Sequence, residues 1–125
     1  MDIKQVTEKI FNFCKEKYPD LDWDIKSARK DSTYIKSTIR IWGKTNGIDI
    51  SIEIIGTRLE SYAVSGDVSA LISEARWSGS FKIWLDKKES QISFKSKREL
   101  DMSTDLFIKA KEILSSIFEF IETKI

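Results

Sequence analysis

The feature that most constrains this chain is a set of isoleucines at alternate positions. Ile35, Ile39 and Ile41, with Ser37 in step, alternate with Tyr34, Lys36, Thr38, Arg40 and Trp42; Ile48, Ile50, Ile52 and Ile54 alternate with Asp49, Ser51 and Glu53. Successive side chains of a strand point to opposite faces, so this pattern sends one face into a core and leaves the other in water. Between the two runs, Gly43-Lys44-Thr45-Asn46-Gly47 contains an Asn-Gly pair suited to positive φ, which predicts a β-hairpin.

The elements around the hairpin follow from changes of period. Asp2 caps a first helix with Gln5 three residues on, and Ile3, Val6, Ile10, Phe13 and Cys14 recur at helical spacing until Tyr18-Pro19 stops it. Leu21, Trp23 and Ile25 alternate with Asp20, Asp22 and Asp24 as a short strand would, although residues 20–30 also fit a loop. After Gly56-Thr57 a third strand is expected from Arg58 to Ser65, and Gly66-Asp67 then ends it and caps a short helix from Val68 to Glu74. Arg76 to Asp86 reads as a long strand with Trp77, Phe81, Ile83 and Leu85 on one parity, and Gly79 marks a bulge or a close approach. Asp86-Lys87-Lys88-Glu89 turns the chain, and Gln91 to Lys95 pairs back with Ile92 and Phe94 inward. A last helix runs from Thr104 to the end, capped by Ser103 or Asp101, with Leu106, Ala110, Ile113, Leu114, Ile117 and Ile121 in its stripe.

The expected architecture is an α+β single domain over residues 1–125: one antiparallel sheet of about five strands, with N- and C-terminal helices packed on one face. The order is α-β-β-β-(short α)-β-β-α, and it leaves open which edge of the sheet the last hairpin joins. In topology, this order resembles that of the type III secretion chaperones and the YbjN-like proteins. The resemblance implies a protein that acts by binding another protein.

Composition narrows the chemistry. The 125 residues include no histidine, one cysteine and no glycine-rich phosphate loop, which removes the usual agents of acid–base, metal and nucleotide chemistry at neutral pH. Basic and acidic residues, 21 and 20, nearly cancel, so binding to a polyanion or an anionic membrane would need a local patch. Charged residues at 33% interrupt every apolar run that might span a membrane. A lone Cys14 in an apolar stripe reads as a buried hydrophobe, and the N-terminus has no basic lead with an apolar run behind it. The expected location is the cytoplasm.

Motifs with catalytic or metal spacing do not hold together. Asp20, Asp22 and Asp24 with Asp31 suggest a calcium loop, but Ile25 stands where the sharp turn needs glycine. Ser27-Ala28-Arg29-Lys30 has a Ser-x-x-Lys spacing without its companion motifs. Asp22, Asp24, Glu53 and Glu60 remain the only candidates for acid–base work, with Glu53 and Glu60 expected to face one another across a hairpin.

The outward parity of the sheet is more informative. Lys36, Arg40 and Trp42 share it on one strand, Arg58 and Tyr62 on another, and Lys82 with Trp84 on a third; Lys95, Lys97 and Arg98 follow near the end of the last strand. Aromatic rings among cations suit a protein hot spot, or the stacking of bases and neutralisation of phosphates. They also suit a purely structural role, with Trp42 and Trp84 as cross-strand neighbours and Asp49, Glu53 and Glu60 pairing off the cations. On the last helix, Leu106, Phe107, Ile108, Phe118, Phe120 and Ile125 spread apolar side chains wider than one sheet contact requires. This makes Phe107, Phe118 and Phe120 a candidate partner or homodimer surface.

The sequence therefore reads as a non-enzymatic protein-binding module without cofactor or metal: a chaperone-like adaptor, or a small inhibitor carried by a mobile element. The alternative is a nucleic-acid or nucleotide binder that uses the aromatic, cationic sheet face.

Overall fold

The computed structural model describes residues 2–28, 35–45, 47–57, 62–70, 77–85, 89–96 and 102–125, with backbone alone at 28, 35–37, 57, 62, 69 and 70. Helix α1 (Ile3–Lys17) is followed by strands β1 (Asp22–Ala28), β2 (Ile35–Thr45), β3 (Ile48–Thr57), β4 (Tyr62–Ala70), β5 (Trp77–Trp84) and β6 (Glu89–Ser96), then helix α2 (Asp105–Lys124). The strands form one antiparallel sheet in chain order, β1-β2-β3-β4-β5-β6. Both helices contact it from the side on which the isoleucines lie. The α+β class, the antiparallel sheet and the two terminal helices agree with the sequence reading, with six strands in place of about five.

The central hairpin forms as its alternation dictates. Thr45 pairs with Ile48, and Gly47 takes φ 87°, the left-handed conformation for which the Asn-Gly pair was read. Ile39, Ile41, Ile48, Ile50, Ile52 and Ile54 are all buried on one face. α1 carries the expected capping box: Gln5 N donates to Asp2 Oδ1 at 2.9 Å, and Asp2 N donates to Gln5 Oε1 at 3.0 Å. Residues 22–28 are strand, which decides between the two readings of that segment.

Two expectations change. The segment read as a strand end and short helix is the second half of β4, which runs through Gly66-Asp67 to Ala70; residues 71–76 lie outside the described residues. Gly66 does not terminate a strand there. It pairs with Phe81, and a Cβ at position 66 would come within 2.2 Å of that ring. Gly43 against Trp23 and Gly79 against Phe94 repeat the arrangement, so on this face three aromatic rings each lie over a glycine of the adjoining strand. Val68 to Ala70, read as the start of a short helix, are therefore strand, and the remainder of that reading, to Glu74, lies outside the described residues. The cap of α2 is Thr104, whose Oγ1 accepts from Phe107 N at 3.2 Å, because Met102 and Ser103 form a tight turn ahead of the helix.

α2 lies chiefly over β5 and against α1. Its buried stripe is Phe107, Ala110, Ile113, Leu114, Ile117 and Ile121. Phe107 meets Trp77 and Phe94 edge-on, Phe118 meets Phe81 edge-on, and Phe120 stacks on Phe13 of α1 with ring centroids 4.2 Å apart. The three phenylalanines read as a partner or homodimer surface are therefore engaged within the chain, Phe107 fully and Phe118 and Phe120 in part. Most of the wide apolar arc of the helix is matched by two neighbours, the sheet below and α1 beside it, while Ile108 stays exposed at 53%. Two polar contacts close the same seam: Tyr18 hydroxyl to Ser116 Oγ at 2.8 Å, and Lys109 to Asp20, whose carboxyl this lysine holds below its usual range. Cys14 is fully buried in the core, where burial pushes its thiol up to about 12.

Candidate functional site: the open face of the sheet

Because the six strands pair in sequence order, the residues facing away from the helices fall into rows that cross the whole sheet. One row is Asp24, Trp42, Ser51, Asp67, Ser80 and Ser93. The next is Lys26, Arg40, Glu53, Ser65, Lys82 and Gln91, and the third is Ala28, Thr38, Ile55, Ala63, Trp84 and Glu89. Among the described residues, no helix or strand packs on these rows. The third is nonetheless partly closed to solvent, with Thr38 and Ala63 buried.

Trp42 and Trp84 both lie on this face, half-buried, as the outward parity predicts. They are not cross-strand neighbours. β2 and β5 are separated by β3 and β4, three strand spacings or about 14 Å, so the two rings cannot support one another. Each has a local partner instead. Arg40-Ile41-Trp42 and Lys82-Ile83-Trp84 have the same form, with the isoleucine in the core and the outer two residues on the open face. In each, the cation lies over the indole two residues on, at 5.8 Å for Arg40 and 5.0 Å for Lys82. Such contacts contribute about 0.5–1 kcal/mol at exposed sites.

Charges on this face are sorted by strand. β2 and β5 present Lys44, Arg40 and Lys82, whereas β3 and β4 present Asp49, Glu53 and Asp67; β1 and β6 carry both signs, Asp22, Asp24 and Lys26 on one, Glu89 and Lys95 on the other. Arg40 pairs with Glu53 across the hairpin at 2.6 Å, which is the cross-strand neutralisation the sequence suggested for Glu53. Asp22 and Lys44 are also directly opposite, as are Lys44 and Asp49. Glu53 stands opposite Ser65 in the ladder, and Glu60, its expected partner for acid–base work, lies outside the described residues.

Of the other residues read as a binding surface, Lys36 and Tyr62 are placed by backbone alone in β2 and β4, and Arg58 lies outside the described residues. Glu60, Lys97, Arg98, Lys30 and Asp31 lie outside them as well. At one end of the face a shallow depression of about 270 Å³ is lined by Lys82, Trp84, Glu89, Ser90 and Gln91. Sequence reasoning missed Glu89 and Gln91, which reach this hollow only because β6 occupies the edge next to Trp84. Among the described residues, no three of His, Cys, Asp and Glu gather as a metal ion would need, and no helix is long and apolar enough to cross a membrane.

Comparison of the chain with protein-family models, with curated proteins and with solved structures gives no match.

Proposed function

We propose that this chain is a non-enzymatic binding module that engages a protein partner through the open face of its sheet, in the manner of a cytoplasmic adaptor or small inhibitor. The observation that carries the reading is the pair of half-buried indoles, Trp42 and Trp84, held by their own cations on a face that no described element covers. Tryptophan and arginine are the side chains that most often dominate protein interfaces, because each buries a large area while keeping a polar handle.

The sorting of charge favours a protein over a polyanion. A phosphate backbone crossing the face would leave the cations of β2 for the carboxylates of β3 within one strand spacing, about 4.8 Å. A folded partner can place opposite charges against each strand in turn, which sets register and partner choice. Single-strand binders instead track the phosphates with a continuous cationic groove.

The test is co-purification with the intact chain compared with a Trp42→Ala, Trp84→Ala double variant whose fold is checked by circular dichroism. The proposal expects a protein that stays bound at high salt and is lost with the double variant. Salt-sensitive quenching of tryptophan fluorescence by a mixed single-stranded oligonucleotide would instead assign the face to nucleic acid.

A further inference from the structure

The two outer strands of the sheet differ in how their edges are left. On β1 the Asp24 carboxylate accepts from the Ile25 backbone N–H at 2.8 Å, so one of that strand's donors is tied up by its own side chain. Along residues 89–95 of β6 no side chain makes such a bond to the strand's own backbone. It runs for eight residues without proline, its ladder with β5 is unbroken from Trp84↔Glu89 to Trp77↔Ser96, and no described strand lies beyond it.

The side chains of β6 are complementary to themselves. In an antiparallel pair of two β6 strands with the two-fold axis at Ile92, Glu89 stands opposite Lys95 of the second copy, and Lys95 opposite its Glu89. Gln91 faces Ser93, Ile92 faces Ile92, and Ser90 faces Phe94. Glu89 and Lys95 are exposed on the open face, whereas Ile92 and Phe94 are only half-buried on the helix face, with apolar surface left to cover. This register preserves the two-residue alternation across the join, so both copies keep their helices on the same side. A slip of one residue would set Ile92 against Ser93 and turn the second helix layer to the wrong face. The helices also fit. With α2 chiefly over β5, the two copies of β5 would lie three strand spacings apart, about 14 Å, which exceeds the 8–10 Å of helices in contact.

We infer that the chain forms a two-fold homodimer by antiparallel pairing of β6 with β6 of a second copy, which joins two six-stranded sheets into one and places their open faces side by side. The inference does not depend on what the open face binds.

Sedimentation equilibrium of the intact chain over a wide concentration range tests it. The expected result is reversible association to twice the chain mass. Lys95→Glu and Glu89→Lys, each placing like charges at both ends of the ladder, weaken the dimer on the order of tenfold, and the double exchange restores it. Both positions are exposed, so recovery in the double variant shows that neither single variant lost the dimer by misfolding. Mild oxidation links Ile92→Cys chains in pairs and leaves Ser93→Cys chains single, with the buried Cys14 not competing. Monomer mass throughout overturns the inference, and so does a dimer that ignores both charge reversals or links through position 93 in place of 92.

Discussion

The two faces of this sheet are made by the same strands, residue by residue in alternation, yet they are organised by different forces. On the helix face, Ile41, Ile50, Ile52, Ile54 and Val64 are fully buried, and glycines appear where a neighbouring ring needs the space. On the open face the same strands present charged residues sorted by strand, hydroxyls, and two indoles three strands apart. The helix face is determined by volume, so a change of a few atoms there disturbs the packing. The open face is determined by charge and by what remains available to a partner. Stability and recognition are therefore separated by parity alone, and a substitution at position i should differ in kind from one at i+1.

That contrast can be tested directly. The largest effect is expected at the centre of the helix face: Ile52→Ala should cost about 2–5 kcal/mol in urea unfolding, while Ser51→Ala beside it stays within about 0.5 kcal/mol. Equal losses at the two positions would remove the distinction between the faces. Next is Gly66→Ala, which drives a methyl into the Phe81 ring and should cost about 1–3 kcal/mol, with part of the loss recovered in a Gly66→Ala, Phe81→Leu double variant. If the two substitutions were simply additive, the ring would not be what requires glycine there.

A third test uses pH on the helix side. The Cys14 thiol is raised from 9.0 to about 12 in the folded chain, so below pH 9 it is neutral in both states and stability is unaffected. As the pH rises from 9 towards 12 only the unfolded chain loses this proton, and stability falls by up to about 1.4 kcal/mol per pH unit. Cys14→Ala should lower stability at neutral pH but flatten this alkaline slope, as seen in denaturation midpoints taken at pH 8 and pH 11. The smallest effect belongs to the open face. Arg40→Ala removes the pair with Glu53 and the contact with Trp42, yet both are partly solvated, so thermal melting should report a loss below about 1 kcal/mol.

The sequence foretold some of this and could not foretell the rest, for reasons that trace to particular residues. The hairpin from Ile35 to Thr57 was legible because alternation and the Asn-Gly turn are both local signals. β4 was misread because Gly66-Asp67 resembles a terminator; the residue that explains Gly66 is Phe81, and nothing local links the two. The same limit applies to the tryptophans. Their common outward parity could be read from each strand alone, but their separation depends on strand order, which is a property of pairing. The phenylalanines of α2 appeared to be in excess because a single sheet contact was assumed, whereas α1 returns from the far end of the chain to meet Phe120. Asp24 stands among the acid–base candidates in the sequence; its bond to the Ile25 N–H depends on β1 being an outer strand, which is again a property of pairing.

The seam between the two helices has a consequence for how the protein is made. Each strand pairs with the one before it, so the sheet can grow in the order in which residues leave the ribosome. α1 does not follow that order, because Phe13, Tyr18 and Asp20 find their partners on α2, at Phe120, Ser116 and Lys109. The earlier helix thus waits for the later one, and until α2 has emerged one flank of its apolar surface remains open to whatever meets the nascent protein.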